Sequence, residues 1–375
     1  MSYAKGLEGI IANESGLSNV EGAEGRLSYC GYNIKDLVEN SKYEEVVYLL
    51  HHMALPTKSQ LESFSKGIAS QRELPQAVID FLKAAPKDGV PMDVLRTAVS
   101  MLGLYDEDAL IGDPDPEALE RAAIRIVAKM PVIVAYYHLL RQGLSLPPVR
   151  EDLSEAAHFL YLINGEEPGE NATKTLDVAY TLHADHGMNA STFSARVTVA
   201  TLSDIYSGIT SAIGTLKGPL HGGANEGVIK MLEEIGSLDA VDAYVEGKLE
   251  RKEKIMGIGH RVYKVLDPRA PFLQEMAIKL TTELGESKWI DMSERIATIM
   301  RERKGLNANV DFYSATVYYS LGIPTDLFTP IFAIARASGW TAQILEQLRD
   351  SRLYRPLTLY TGPKEFLDFV PMEDR

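Results

Sequence analysis

Lys217-Gly218-Pro219-Leu220-His221-Gly222-Gly223-Ala224-Asn225-Glu226 is answered downstream by Ile255-Met256-Gly257-Ile258-Gly259-His260-Arg261-Val262-Tyr263-Lys264, and these two segments decide how the chain is read. Each sets one histidine among glycines, which allow a ligand to approach the backbone closely and permit dihedrals that other residues avoid. A histidine in such a turn is exposed and positioned. The span between the two turns has helical periodicity, over 223–235 and 241–254, and a carboxylate follows at Asp311. Two histidines and a carboxylate make a set of acid, base and hydrogen-bond donor for chemistry near neutral pH.

Outward from this stretch the helical period dominates. Ser41-Lys42-Tyr43-Glu44 and Thr57-Lys58-Ser59-Gln60 have the capping-box pattern, each leading into an apolar face. Pro114-Asp115-Pro116 opens a long helix that ends near Gly143. Further helices are expected over 153–163, 172–186, 195–213, 271–284, 293–303, 311–321 and 329–348. Residues 7–34 are glycine-rich and read as one or two short strands. The fold class is therefore mainly α, with minor short N-terminal strands. With 375 residues, one large domain and a smaller one are expected. Glycine-bearing turns at Gly218-Pro219 and Gly322-Ile323-Pro324 set the boundaries, giving a large domain of 1–221 with 324–375 and a small domain of 222–323.

Composition narrows the function. Apolar residues at 45% and charged residues at 24% are values of ordinary globular proteins. The formal net charge of -14 argues against nucleic acid or an anionic membrane as partner, since both require a basic face. The most apolar stretch, 131–140, is short of the roughly 20 residues that span a bilayer. Met1-Ser2-Tyr3-Ala4-Lys5-Gly6-Leu7-Glu8 has neither the apolar core of a signal peptide nor the features of a transit segment, so a cytoplasmic location is expected. Cys30 is the single cysteine, which rules out an intrachain disulfide and a cysteine metal cluster. No base is near it in sequence, and it reads as a packing residue.

Several side chains have two readings. His183 and His186, at i and i+3, share one face of a helix end. They read as ligand-binding groups, as partners of the helix dipole, or, with Asp185, as metal ligands, although no second pair at ligand spacing occurs elsewhere. Arg269 follows Pro268 in a restricted turn, and Arg336 lies within the apolar helix Ile331-Phe332-Ala333-Ile334-Ala335-Arg336-Ala337. A guanidinium there either has an internal acidic partner or awaits a carboxylate from a ligand. Arg355 alone reads as a surface charge. The run Lys248, Arg251, Lys252, Lys254 is a solvated helix face or, with Lys264, one end of a phosphate site. Asp311 is either a helix N-cap or a base desolvated by Val310, Phe312 and Tyr313.

Four motifs taken together, GPLHGGANE around His221, IMGIGHRVYKVLDPRA around His260, NVDFYS around Asp311 and LHADHGMNAST around His186, resemble the citrate synthase family in order and mutual spacing. The similarity runs from about Leu7 to about Pro356. It implies a two-domain, almost wholly helical homodimer that condenses an acyl-CoA with oxaloacetate and hydrolyses the thioester, its small domain closing over the substrates. By this resemblance Asp311 takes the acyl α-proton, His221 donates to the enolate oxygen, and His260 polarises and then protonates the oxaloacetate carbonyl. His186, Arg269 and Arg336 hold oxaloacetate, with Arg355 arriving from the partner subunit. Gly257, Ile258 and Gly259 line the CoA adenine pocket, and Lys264 lies near the CoA phosphates. No cofactor or metal is implied, because acetyl-CoA is a substrate. The sequence departs from the family at Cys30, where relatives often have arginine, and it lacks the N-terminal extension of the hexameric members, so their NADH inhibition is not expected. The alternatives are 2-methylcitrate synthase, which shares these motifs; a metal-dependent hydrolase built on His183, Asp185 and His186; and a catalytically silent helical binding protein.

Overall fold

The computed structural model describes residues 3–109, 112 and 115–375. The N-terminal sheet has three antiparallel strands, β1 (Ser18–Glu21), β2 (Arg26–Tyr29) and β3 (Tyr32–Asn33), in the order β1-β2-β3. Ser18 pairs with Tyr29 and Glu21 with Arg26. Sixteen α-helices follow among the described residues. The first eight are α1 (Ile34–Asn40), α2 (Tyr43–His52), α3 (Lys58–Ala69), α4 (Gln76–Ala84), α5 (Pro91–Leu102), α6 (Pro116–Arg141), α7 (Glu155–Asn164) and α8 (Glu170–His183). The rest are α9 (Ala190–Val199), α10 (Ile205–Leu216), α11 (Ala224–Ile235), α12 (Val241–Glu250), α13 (Ala270–Leu284), α14 (Lys288–Lys304), α15 (Val310–Ser320) and α16 (Phe328–Arg349).

α16 is the axis of the fold. It is buried continuously from Phe328 to Leu345 and packs against α2, α6, α8, α9 and α10. A helix apolar on every side is stable only when surrounded. The same logic applies to α6, which by length and hydropathy could cross a membrane but is mostly buried in this core. That corrects the expectation drawn from 131–140, because the apolar run extends back through the alanines, isoleucines and Val127 that precede Pro131. α11 to α15 pack chiefly on one another and meet the remaining helices through α8 and α16.

Local signals set most helix starts. Thr57 and Gln60 form the expected capping box of α3. At Ser41-Lys42-Tyr43-Glu44 the device is absent: Lys42 precedes α2 without a side-chain cap, and the Glu44 carboxylate accepts instead from the Glu155 backbone N–H at 2.7 Å. The single helix expected over 195–213 is two, α9 and α10. Leu202 takes a left-handed φ of 63°, and the Asp204 carboxylate accepts from the Ser207 N–H at 2.9 Å, starting a new helix. α8 also stops early, at His183 rather than His186, because Asp185 is drawn away by Ser18 and Gln343.

Candidate active site

The early end of α8 separates the two histidines. His183 is fully buried, with Nδ1 2.8 Å from the Ala179 carbonyl and its ring edge-on to Phe332. His186, on the unwound segment, turns toward the second glycine turn, where Nε2 lies 3.1 Å from the Tyr263 hydroxyl and its ring centroid 5.7 Å from that of His260. The expectation of one shared helical face is overturned, and with it the metal triad. Asp185 is engaged by Ser18 and Gln343, and no group of three or more His, Cys, Asp or Glu among the described residues could hold a metal ion.

His221 sits in the turn between α10 and α11. The Ser191 N–H donates to His221 Nε2 at 3.3 Å, and the Ser191 hydroxyl lies 2.8 Å from the same nitrogen. That hydroxyl also accepts from the Trp340 indole N–H at 3.1 Å. An Nε2 that accepts leaves the proton of the neutral ring on Nδ1. Burial, then the Arg336 charge, lowers the His221 pKa to about 4, so the ring is neutral near pH 7.

His260 has the opposite tautomer. Its Nδ1 accepts from the backbone N–H groups of Val262 at 3.0 Å and Tyr263 at 3.1 Å, which leaves the proton on Nε2. Burial, then Arg269, lowers its pKa to about 4. The turn is fastened to the segment that leads into α15: the Gly259 N–H donates to Asn307, the Asn309 N–H donates to Gly257, and the Asn309 amide donates to the Gly259 carbonyl at 2.8 Å. Gly257 has φ 72°, and a Cβ there would stand 2.7 Å from Val228 and 2.8 Å from Phe312, so only glycine fits.

Asn309 also settles the reading of Asp311. It is Asn309 that caps α15, accepting from the Asp311 N–H at 3.0 Å. The Asp311 carboxylate accepts no hydrogen bond from any described residue, and burial raises its pKa to about 6 against the attraction of Arg269. It is the desolvated carboxylate of the two alternatives.

The arginines differ from each other. Arg269 is held bidentately by Asp267, at 2.9 and 2.8 Å, and Asp267 also accepts from the Val310 N–H at 3.2 Å. Burial opposes the Arg269 charge, but Asp267 outweighs it. Arg336 is buried to 1% exposure; its Nε donates to the His183 carbonyl, and it has no acidic partner within ion-pair distance among the described residues. Burial lowers its pKa to about 10, offset in part by the charge of Asp185. The alternative of an internal ion pair, raised for Arg336, therefore fails there; Arg269 does pair with Asp267, through Nε and Nη2. Both charges act on His186, whose pKa burial first, then these cations, push well down.

Gly257, Ile258 and Gly259 line a surface pocket of about 570 Å³ together with Lys252, Lys254, Arg261 and Lys304. Lys264 is outside it, its Nζ donating to the Arg261 carbonyl at 3.2 Å. Within the basic run, Lys248 and Arg251 are paired with Glu253 and leave Lys252 and Lys254 at the pocket. Arg355 lies on the exposed arm beyond α16, lining a separate groove with Leu7, Ile10 and Phe193. Cys30 is half-buried and its thiol is pushed up to about 11 by burial, as suits a packing residue. Sequence reasoning missed Ser191, Trp340, Tyr263, Asn309 and Asp267. Ser191, Tyr263, Asn309 and Asp267 lie inside the quoted motifs, whereas Trp340 gave no local signal.

Fold and site together define a mainly helical enzyme that sets two neutral imidazole N–H donors and a carboxylate of raised pKa beside buried guanidiniums. The family model for the citrate synthase C-terminal domain matches residues 6–357. The chain is 54% identical to citrate synthase 2 of Bacillus subtilis (strain 168) over the whole of both chains, and 42% identical to the 2-methylcitrate synthase of Shewanella oneidensis over 95% of this chain and 94% of that one. Among solved structures, the ternary complex of Thermoplasma acidophilum citrate synthase with carboxymethyl coenzyme A and oxaloacetate superposes with a TM-score of 0.92 at 30% identity, covering both chains completely. The chain belongs to the citrate synthase family.

Proposed function

We propose that the chain condenses acetyl-CoA with oxaloacetate and hydrolyses the resulting citryl-CoA to citrate and CoA. The observation that carries this reading is the pairing of opposite tautomers with one carboxylate. His221 offers Nδ1–H, His260 offers Nε2–H, and Asp311 is a base of raised pKa. Asp311 removes a proton from the acetyl methyl, and the negative charge that forms on the thioester oxygen accepts from His221. The enolate carbon then attacks the oxaloacetate carbonyl carbon; the carbonyl oxygen, polarised by His260, takes the Nε2 proton and becomes the citryl hydroxyl, and the proton held by Asp311 returns through solvent to His260, restoring both groups. Water finally cleaves the thioester and releases CoA. Donors aimed at both oxygens lower the barrier by about 3 to 4 kcal/mol each. His186, Arg269 and Arg336 bind the oxaloacetate carboxylates in this scheme. The pocket with Gly257, Ile258, Gly259 and its lysines takes CoA, and Lys264, outside that pocket, lies near the phosphates. No cofactor enters any step.

In the same reading 222–323 is a small domain that closes on a large domain of 1–221 and 324–375. The mutual packing of α11 to α15 supports the division, and closure would keep water out until the condensed thioester has formed. Arg355, remote from its own chain's cluster, completes the site of a partner subunit in a homodimer. The location is cytoplasmic, in keeping with the acidic, disulfide-free chain. The deciding experiment is the initial rate of CoA release with oxaloacetate, comparing acetyl-CoA with propionyl-CoA. A higher kcat/KM for acetyl-CoA is expected. A higher value for propionyl-CoA would make the chain a 2-methylcitrate synthase with the same residues in the same roles, as the Shewanella relative allows, because one methylene is worth only about 1 to 3 kcal/mol in a pocket.

A further inference from the structure

The only sheet among the described residues of this helical protein lies against both loops that carry the imidazoles facing each other. At its base, Ser18 and Tyr29 form a cross-strand pair and hold the His186 loop. The Ser18 hydroxyl donates to the Asp185 carboxylate at 2.6 Å and accepts from the Gly187 N–H at 2.7 Å. The buried Tyr29 hydroxyl reaches the carbonyls of Thr181 and Asp185 at 3.1 and 3.0 Å. At its tip, the four-residue turn between β1 and β2 meets the chain just beyond His260. The Lys264 N–H donates to the Gly22 carbonyl at 3.0 Å. A Cβ on Gly22 would stand 2.4 Å from the Val262 carbonyl oxygen, and one on Gly25 would stand 2.7 Å from the Val265 side chain and 3.0 Å from the Leu266 carbonyl. Contacts that close to main chain admit nothing larger than hydrogen.

We infer that the β1–β2 hairpin is a positioning clamp, fixing the His260 loop against the His186 loop so that the two imidazoles converge on one substrate. The inference rests on the function proposed above, in which both histidines contact oxaloacetate. Its base belongs with the His186 loop in the large domain and its tip touches the proposed small domain. The tip contact therefore bridges the two parts and secures the arrangement in which the donors meet. His260 Nδ1 accepts from Val262 and Tyr263, and the tip presses on Val262 itself, so a displaced tip loosens the ring as well as the loop.

The test compares wild type, Gly22→Ala and, as a control on the exposed turn, Glu24→Ala. KM for oxaloacetate and for acetyl-CoA are measured by CoA release, and folding by circular dichroism. Folded Gly22→Ala is expected to raise the oxaloacetate KM at least fivefold while the acetyl-CoA KM changes less than threefold and Glu24→Ala matches wild type. A smaller rise in oxaloacetate KM overturns the clamp. Should Gly22→Ala not fold, Ser18→Ala decides by the same fivefold criterion, since it removes two hydrogen bonds and adds no bulk. If wild type itself releases no CoA, the proposed function fails separately, and the clamp is read from amide hydrogen exchange. Exchange at Lys264 must then accelerate at least tenfold in Gly22→Ala, and an unchanged rate overturns it.

Discussion

The Ser191 backbone N–H donates to His221 Nε2, thirty residues away in sequence, and so decides which nitrogen of that imidazole carries the proton. The Ser191 hydroxyl, itself a hydrogen-bond partner of the Trp340 indole, lies against the same atom and holds the ring plane. Replacing Ser191 by Ala keeps the backbone donor and removes only the hydroxyl. Ser191→Ala is expected to lower kcat about tenfold with the oxaloacetate KM nearly unchanged, because the donor is misaimed but retained. His221→Ala removes the donor and is expected to lower kcat by about 100- to 1,000-fold. Steady-state kinetics of the two variants check both figures, and an unchanged kcat in Ser191→Ala would show that the hydroxyl does not hold the ring.

Asp311 must be ionised to act as a base. With its pKa raised to about 6, kcat/KM for acetyl-CoA is expected to fall tenfold per pH unit below about pH 6 and to level off above it. A profile flat to pH 5 would assign the base elsewhere. The same shift affects stability. A carboxyl whose folded pKa lies above its unfolded value contributes stability that is complete below about pH 4 and lost as pH rises through about 6. Asp311→Asn is therefore expected to melt above wild type at pH 8, with the gap closing toward pH 4, while it binds oxaloacetate and fails to exchange the acetyl α-protons.

Arg336 is a buried cation without an acidic partner among the described residues, which destabilises the unliganded protein. Arg336→Leu is expected to leave Tm unchanged or higher and to weaken oxaloacetate binding by about 1.5 to 3 kcal/mol, roughly 10- to 150-fold in Kd. Calorimetric titration and thermal melts check the pair of outcomes. A drop in Tm with binding intact would make the arginine structural.

Lys252, Lys254, Arg261 and Lys304 ring the pocket walled by Gly257 to Gly259. Each is exposed, so single losses are small, about 0.2 to 1 kcal/mol, and sensitive to salt. The double variant Lys254→Ala with Lys304→Ala is expected to raise the acetyl-CoA KM about fivefold at low ionic strength, with the difference shrinking in 0.5 M salt and the oxaloacetate KM unaffected. An acetyl-CoA KM independent of both lysines and salt would move the phosphates away from this pocket.

The amino-acid sequence by itself determined the helical architecture, the short N-terminal strands and the capping of α3, and it singled out His186, His221, His260, Arg269, Arg336 and Asp311. Those signals are local, since periodicity and caps act over a few residues and the motifs are contiguous. They misled where a distant group intervened. Glu44 was taken from its expected cap by the Glu155 backbone, and α8 was cut short at Asp185 by Ser18 and Gln343. Only the tertiary structure decided that His183 is core while His186 faces Tyr263, that Asn309 and not Asp311 caps α15, and that Arg269 has its own carboxylate while Arg336 has none among the described residues. The tautomers of His221 and His260 were decided there as well. Proton position and charge pairing depend on which donors and acceptors packing brings within 3 Å or so, and for His221, His186 and Arg336 those partners lie 30, 77 and 153 residues away along the chain.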